Sequence, residues 1–350
     1  MKNMSSLSGL FLSICLSMLV LACKSTGEKT ASGNGVAMDS SKIQSIPVDQ
    51  FGQLKVVGNT IVDEKGNPAQ LRGMSLFWSQ WKGKYYTPET VSWLKRDWGC
   101  TVVRAAMAIE MDGYLENPEY EKTKVITVVD AAIREGLYVI IDWHDHHGEQ
   151  HQKEAEAFFG EMAQRYGKYP NVIYELYNEP LDVSWSVVLK PYHQAVIDTI
   201  RHYDPDNLII CGTPNWSQDV DFAANDPLEG NNIAYTLHFY ATTHRQELRS
   251  KALRALEKGI ALMVTEYGTT EASGDGVVDK TETQVWWQFL DDHHISWCNW
   301  SITDKNESSA ALKSGASPQG GWQQEDITES GLFVRNAIRQ KNHPGHSPHN

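Results

Sequence analysis

Eight short apolar runs separated by helix-forming stretches constrain the fold of this 350-residue chain more than any other feature. The runs cover residues 71–75, 101–105, 138–143, 172–177, 208–212, 233–238, 261–266 and 296–301. They are mostly apolar without strict alternation, which suits strands of a parallel sheet covered on both faces. The stretches between them carry helix punctuation. Residues 88–98 open on Thr87, a good N-cap, with Pro88 in the first turn, and residues 122–135 stop at Gly136. Further helices are expected over 153–166, 191–203, 244–258, 281–293 and 328–340. Eight strands with helical crossovers in about 290 residues are what a (β/α)8 TIM barrel requires. A doubly wound open sheet is the alternative, but it would need a Gly-rich phosphate turn after an early strand, and the sequence has none. Residues 53–73 read as a β-hairpin with a Gly58-Asn59 turn ahead of the barrel. Residues 46–342 therefore form one α/β domain, and 343–350, rich in His and Pro, a disordered tail.

The ends of these runs are not apolar. The fourth reads VIYELYNEP, Val172 to Pro180, and delivers Asn178 and Glu179 into a proline-stopped corner. The seventh reads ALMVTEYGT, Ala261 to Thr269, and delivers Glu266 into a glycine turn. In a parallel barrel the C-terminal strand ends form the active face. Two glutamates there can face each other across one sugar ring, the minimum equipment for glycoside hydrolysis. An aromatic-rich mouth is expected to raise the pKa of Glu179, as a general acid needs. Arg104, His144, His238, Tyr240 and Trp300 stand at the ends of the second, third, sixth and eighth runs. Read singly, each has a plainer use: a buried ion pair for Arg104, satisfied core histidines for His144 and His238, packing for Trp300.

Composition narrows the partners. Twelve Trp and 14 Tyr in a chain that is only 41% hydrophobic put many rings near the surface, where they can stack on pyranose faces. A net charge of -13 argues against nucleic acid. Residues 1–22 read as a signal peptide, with Lys2 ahead of the apolar run LSGLFLSICLSMLVLA. The segment ends at Val20-Leu21-Ala22-Cys23, similar to a bacterial lipobox, so Cys23 is a candidate lipidation site; plain cleavage and secretion is the alternative. Residues 23–45, rich in Ser, Gly, Thr and Lys, read as a flexible linker. The expected location is the outer membrane or cell surface as a lipoprotein, or the medium, with any membrane contact made through the N-terminal lipid. Cys100, Cys211 and Cys298 lack C-x-x-C spacing, so a zinc-thiolate site is not expected; one disulfide among them stays open.

Taken together, the blocks GMSLFWSQW, RAAM, YNEPL, LHFYA and VTEYGT resemble glycoside hydrolase family 5, and among its members the bacterial endo-β-1,4-glucanases. The resemblance covers residues 46 to 340. It implies a retaining mechanism with Glu179 as acid/base, Glu266 as nucleophile and about 5–5.5 Å between their carboxyl groups. It further implies that Arg104 and Tyr240 keep Glu266 ionised, that Asn178 binds the sugar 2-hydroxyl, that His144 and His238 complete the hydrogen-bond network, and that Trp300 floors the reacting sugar. Trp81 is the expected stacking residue on the glycone side and Trp216 on the leaving-group side. Lys305 and Glu307 match the family's Asp-Lys-x-Glu loop. Phe77, Tyr267 and Thr303 depart from the commoner His, Trp and Asn at their positions. No cofactor or metal is implied. The expected partners are β-1,4-glucans (cellulose, carboxymethyl-cellulose, lichenan), with crystalline cellulose a poorer substrate than soluble chains, and the chain is expected to be a monomer.

Three other readings remain. The catalytic set is shared with mannanases, lichenases and xyloglucanases, and a fold does not choose among them. The run WHDHHGEQH, with His144, Asp145, His146, His147 and His151, offers the donors of a metal-dependent hydrolase, although such ligands normally gather from several strands. A lipid-anchored barrel with a Trp-lined groove could also capture glycans without cleaving them, although both carboxylates are present.

Overall fold

The computed structural model describes residues 46–343. The expected leader, Cys23, the linker to residue 45 and the tail from 344 lie outside the described residues.

A short helix, Pro47–Phe51, comes first, and two strands follow. β1 (Lys55–Val57) and β2 (Thr60–Val62) pair antiparallel, with Val57 opposite Thr60 across the Gly58-Asn59 turn. Gly58 has φ +60, a conformation that costs glycine little. The barrel follows: β3 (Arg72–Leu76), β4 (Val102–Ala108), β5 (Tyr138–His144), β6 (Val172–Glu175), β7 (Ile209–Cys211), β8 (Ile233–Thr236), a two-residue β9 (Phe239–Tyr240), β10 (Leu262–Gly268) and β11 (Trp297–Ile302). All barrel pairings are parallel, and β11 pairs with both β10 and β3, which closes the sheet. Since β9 continues β8 past a break and also pairs with β10, the barrel has eight staves. Each expected run is a strand here.

The helices obey the same local signals, with shifted ends. Pro88–Trp93 starts on Thr87, whose hydroxyl accepts from Thr90 N at 3.1 Å. Pro118–Glu135 begins a turn earlier than expected, because Pro118 serves its first turn, and it ends at Gly136 with φ 69. Gln152–Tyr166, Lys190–Arg201, Gln246–Glu257, Lys280–Asp292 and Glu329–Asn342 follow. Only a left-handed turn at Pro214–Ser217 and a short helix, Val220–Asn225, join β7 to β8.

Alternation along the strands sorts the core. On β4, Val103, Ala105 and Met107 face outward and pack in the main cluster with the helices. Val102 faces inward and joins Ile140, Ile173, Ile210, Met263 and Cys298 in a second cluster that fills the barrel's lower end. Leu54, Ile61 and Ala69 from the hairpin segment belong to that cluster, so the hairpin plugs the N-terminal mouth. Function is thereby left to the other mouth. Cys100, Cys211 and Cys298 are buried and unpaired, small apolar fillers rather than a bridge.

Candidate active site

Above the apolar floor the inward positions turn polar. Arg104 on β4, Asp142 on β5, Glu175 on β6 and Thr265 on β10 are all fully buried. Arg104 is the hub. Its Nε donates to Glu175 Oε2 at 2.7 Å and its Nη2 to Glu175 Oε1 at 3.1 Å. Nη2 also reaches Asn178 Oδ1 at 2.7 Å and Asp142 Oδ2 at 2.9 Å. Nη1 donates to Glu266 Oε2 at 3.0 Å. A planar guanidinium is the one cation able to serve several carboxylates at once in a dry interior.

Glu266 reaches this layer through an irregularity. Thr265 already faces inward, so strict alternation would turn Glu266 out towards the helices. The pairing of β10 with β11 slips between Val264 and Tyr267, and the extra residue brings Glu266 inward as well. Its Oε1 accepts from the Tyr240 hydroxyl at 2.8 Å. Glu179 arrives differently. β6 ends at Glu175, two residues short of the expected strand, and the chain turns into the mouth, where Asn178 N donates to Trp143 O and Glu179 N to Asp145 O. There Glu179 Oε1 meets His238 Nδ1 at 3.0 Å and Oε2 meets His146 Nε2 at 3.2 Å. Glu179, Glu266 and His238 each place a donor atom within 4.8 Å of the other two.

Charge is distributed unevenly. Burial would raise Glu179, but the bonds from His146 and His238 outweigh it and draw it down to about 2, contrary to the rise expected from sequence. Burial would lower His238, yet the carboxylates of Glu175, 3.8 Å from Nε2, and of Glu179 push it up to about 9. A proton therefore rests on His238 beside an ionised Glu179. Glu266 is raised from the ordinary carboxylate range by burial and then by the charge of Glu179, with His238, Arg104 and Tyr240 holding it back. Burial drives Asp142 up, against the pull of Arg104, and drives His144 well down, so the ring that meets Asp142 at 2.7 Å is the neutral imidazole. Glu175 stays low: Arg104 and His238 overcome its burial.

The family model described as cellulase (glycosyl hydrolase family 5) matches residues 62–306. The chain belongs to glycosyl hydrolase family 5. It is 52% identical over 291 residues to endoglucanase Z of Dickeya dadantii, covering 82% of this chain and 66% of that protein. The chain thus spans about two thirds of the length of the first curated relatives it matches. A solved chain from Cytophaga hutchinsonii is 55% identical with TM-score 0.85, over 86% of this chain and 98% of that one. The catalytic domain of a Thermobifida fusca endoglucanase in complex with cellotetraose is 34% identical with TM-score 0.81, over 84% of this chain and 100% of that one.

Several of the other residues singled out in the sequence cluster around Trp300. Trp300 stacks on His144 at 5.1 Å and meets Phe77 at the same centroid distance. Trp81, about half exposed, lies by Phe77 and Trp78. Lys305 pairs with Glu307, and its Nζ sits 5.4 Å from the centre of the Phe77 ring. These residues gather on the Trp300 side. On the other side a cleft of roughly 550 Å³ is lined by Glu179, His146, His238, Tyr240, His244, Asn215, Gln218, Ala272 and Trp216. Asn178 Nδ2, on the residue before Glu179, is buried without a protein partner among the described residues.

The histidine-rich run does not converge on one point. His144 bonds to Asp142, His146 to Glu179, His147 Nδ1 to Glu110 at 3.1 Å and His151 Nδ1 to Asp145 at 2.8 Å. Glu110, Asp145 and His151 do sit close enough to share an ion, and so do Glu179, His238 and Glu266. Sequence reasoning missed Asp142, Glu175, Thr265 and Trp78. A lone carboxylate within an apolar strand, as in IIDWH and VIYEL, was the available signal for the first two.

Proposed function

We propose that this chain is a retaining endo-β-1,4-glucanase in which Glu266 is the nucleophile and Glu179 the acid/base. The observation that carries the reading is the approach of their carboxylate oxygens within 4.8 Å of each other. Retaining glycosidases hold the pair about 5–5.5 Å apart, and inverting ones roughly 6.5–9.5 Å to admit a water.

In the first step Glu266 attacks the anomeric carbon and the glycosidic C–O bond breaks. The leaving oxygen takes the single proton held by the Glu179–His238 pair. Arg104 and the Tyr240 hydroxyl share the charge of Glu266 until the ester forms. In the second step a water attacks the same carbon, its proton returns to the pair, and Glu266 leaves. Two inversions keep the β configuration. Asn178 Nδ2 is the free donor suited to the sugar 2-hydroxyl, a contact that strengthens in the transition state. Trp300 floors the reacting sugar beside Trp81, Lys305 and Glu307, and Trp216 takes the leaving-group side. His144, neutral and stacked on Trp300, steadies that floor.

β-1,4-Glucan is the substrate favoured by the endoglucanase relatives and by the cellotetraose bound to the Thermobifida fusca relative. Soluble forms such as carboxymethyl-cellulose and lichenan fit an open cleft acting on single chains. The protein acts as an exported monomer, tethered through lipidated Cys23 or released; mass spectrometry of the mature N-terminus separates these. Glu179→Gln should lower turnover of carboxymethyl-cellulose about 10²–10⁴-fold, the usual worth of general acid–base help. Glu266→Ala should remove turnover with folding retained. Wild-type-like hydrolysis by either variant would end the assignment.

A further inference from the structure

Resting on the reading of Glu179 as acid/base, we propose that Thr265, oriented by Glu175, is a positioning residue that fixes the tautomer of His238 and so makes its Nδ1 the nitrogen exchanging a proton with Glu179.

A histidine between two oxygen partners can carry its neutral-state hydrogen on either nitrogen, and its neighbours decide which. His238 Nε2 lies 2.9 Å from Thr265 Oγ1, and Nδ1 lies 3.0 Å from Glu179 Oε1. A hydroxyl has one hydrogen to give. Thr265 gives it to Glu175 Oε1 at 2.6 Å, because an ionised carboxylate is the strongest acceptor in reach. The Thr236 hydroxyl, also bonded to Thr265, must then act as donor. The Thr265 oxygen is left to accept from His238, whose hydrogen therefore sits on Nε2. Nδ1 is bare in the neutral ring and carries the mobile proton in the charged one, always opposite Glu179.

Glu175 is thus attached to both glutamates by separate routes. One passes through Arg104 to Glu266, the other through Thr265 and His238 to Glu179. All the linking groups are buried, so the polarity of the chain is sheltered from water. The charged and titratable groups facing His238 are Glu175, Glu179 and Glu266, with His144 behind it and His146, His244 and Tyr240 on the cleft side. Among the hydrogen-bonding partners of His238, Thr265 is the one without an ionisable group, so it holds one polarity while Glu179 gives and takes a proton.

The test uses Thr265→Val, which keeps the shape and removes the hydroxyl, with Thr265→Ser as the restoring variant. Glu175 is left alone because it also holds Arg104. On a soluble cello-oligosaccharide, Thr265→Val should keep KM within about twofold, lower kcat about tenfold, a fraction of full acid–base help, and move the alkaline limb of kcat to lower pH. In ¹⁵N spectra of histidine-labelled protein recorded above about pH 9, where the ring is neutral, His238 should lose its Nε2-protonated signature. Thr265→Ser should restore kcat, the limb and the spectrum. A Thr265→Val enzyme with an unchanged limb and spectrum would overturn the proposal, as would a loss that serine does not repair. Full turnover by Glu179→Gln would instead remove the acid/base reading, and with it the catalytic meaning of the tautomer, whatever the spectrum reports.

Discussion

Arg104 holds three buried carboxylates, and that arrangement makes single residues here unequal in weight. Asp142, Glu175 and Glu266 each approach the guanidinium within 3.0 Å. Removing one member of a buried ion network costs about 3–5 kcal/mol, because the partners stay behind unpaired. Arg104→Met should therefore lower the free energy of unfolding in a denaturant titration by roughly that amount while also stopping catalysis; an unchanged unfolding free energy would show that the network is dispensable to the fold. At this scale the sequence was informative where a residue type is rare inside a strand. Glu179 and Glu266 stood out because turn-forming residues follow them. Asp142 and Glu175, the other carboxylates around Arg104, did not, since Glu175 lies 71 positions away and only the folded sheet makes them neighbours. The lowered Glu179 was also illegible, because it depends on His146 and His238, which arrive from other strands.

Elements were legible in kind, and their ends departed where the chain leaves regular pairing to build the site. The run YTLHFY reads as one strand but is broken between Thr236 and Phe239, and the break turns His238 to Glu179. The slip in β10 is likewise invisible to a count of alternating residues. A third irregularity follows β7. Asn215, Trp216 and Ser217 all have φ between 55 and 59, a left-handed run uncommon outside glycine. It is held by the corner it faces: Asn215 N donates to Leu181 O, Trp216 N to Pro180 O, and Ser217 Oγ to Asn178 O. Gly212, just before it, is packed so tightly that a Cβ would come 2.2 Å from Tyr177 O and 2.9 Å from Pro180 Cδ. Gly212→Ala should push on the Asn178–Glu179–Pro180 corner, costing about 1–3 kcal/mol of stability and lowering kcat more than it raises KM. A variant with wild-type kcat and melting temperature would mean that the corner is positioned by something else.

For the whole molecule, the hairpin plug and apolar floor close one mouth of the barrel, and the other mouth carries a path for a polymer. In the proposed reading Trp81 marks one end of that path and Trp216 the other, with the glutamates between. Stacking of this kind contributes about 0.5–1.5 kcal/mol per aromatic contact. Trp216→Ala should therefore raise KM for cellotetraose and longer chains several-fold with little effect on a substrate whose leaving group is a small phenol, and Trp81→Ala should affect both. Equal effects of the two variants on both substrates would contradict this polarity. The eight-stave plan was legible because each apolar run lies buried between barrel interior and helices. Cleft shape was not, since it depends on loops whose lengths carry no periodic signal.

The most direct test of the central claim is the configuration of the product at first release. Proton NMR of cellotetraose hydrolysis, recorded before mutarotation, should show the new reducing end as the β-anomer, as a carboxylate pair within direct reach of one anomeric carbon requires. An initial α-anomer would mean that a water stands between the glutamates, and the double displacement through Glu266 would be wrong.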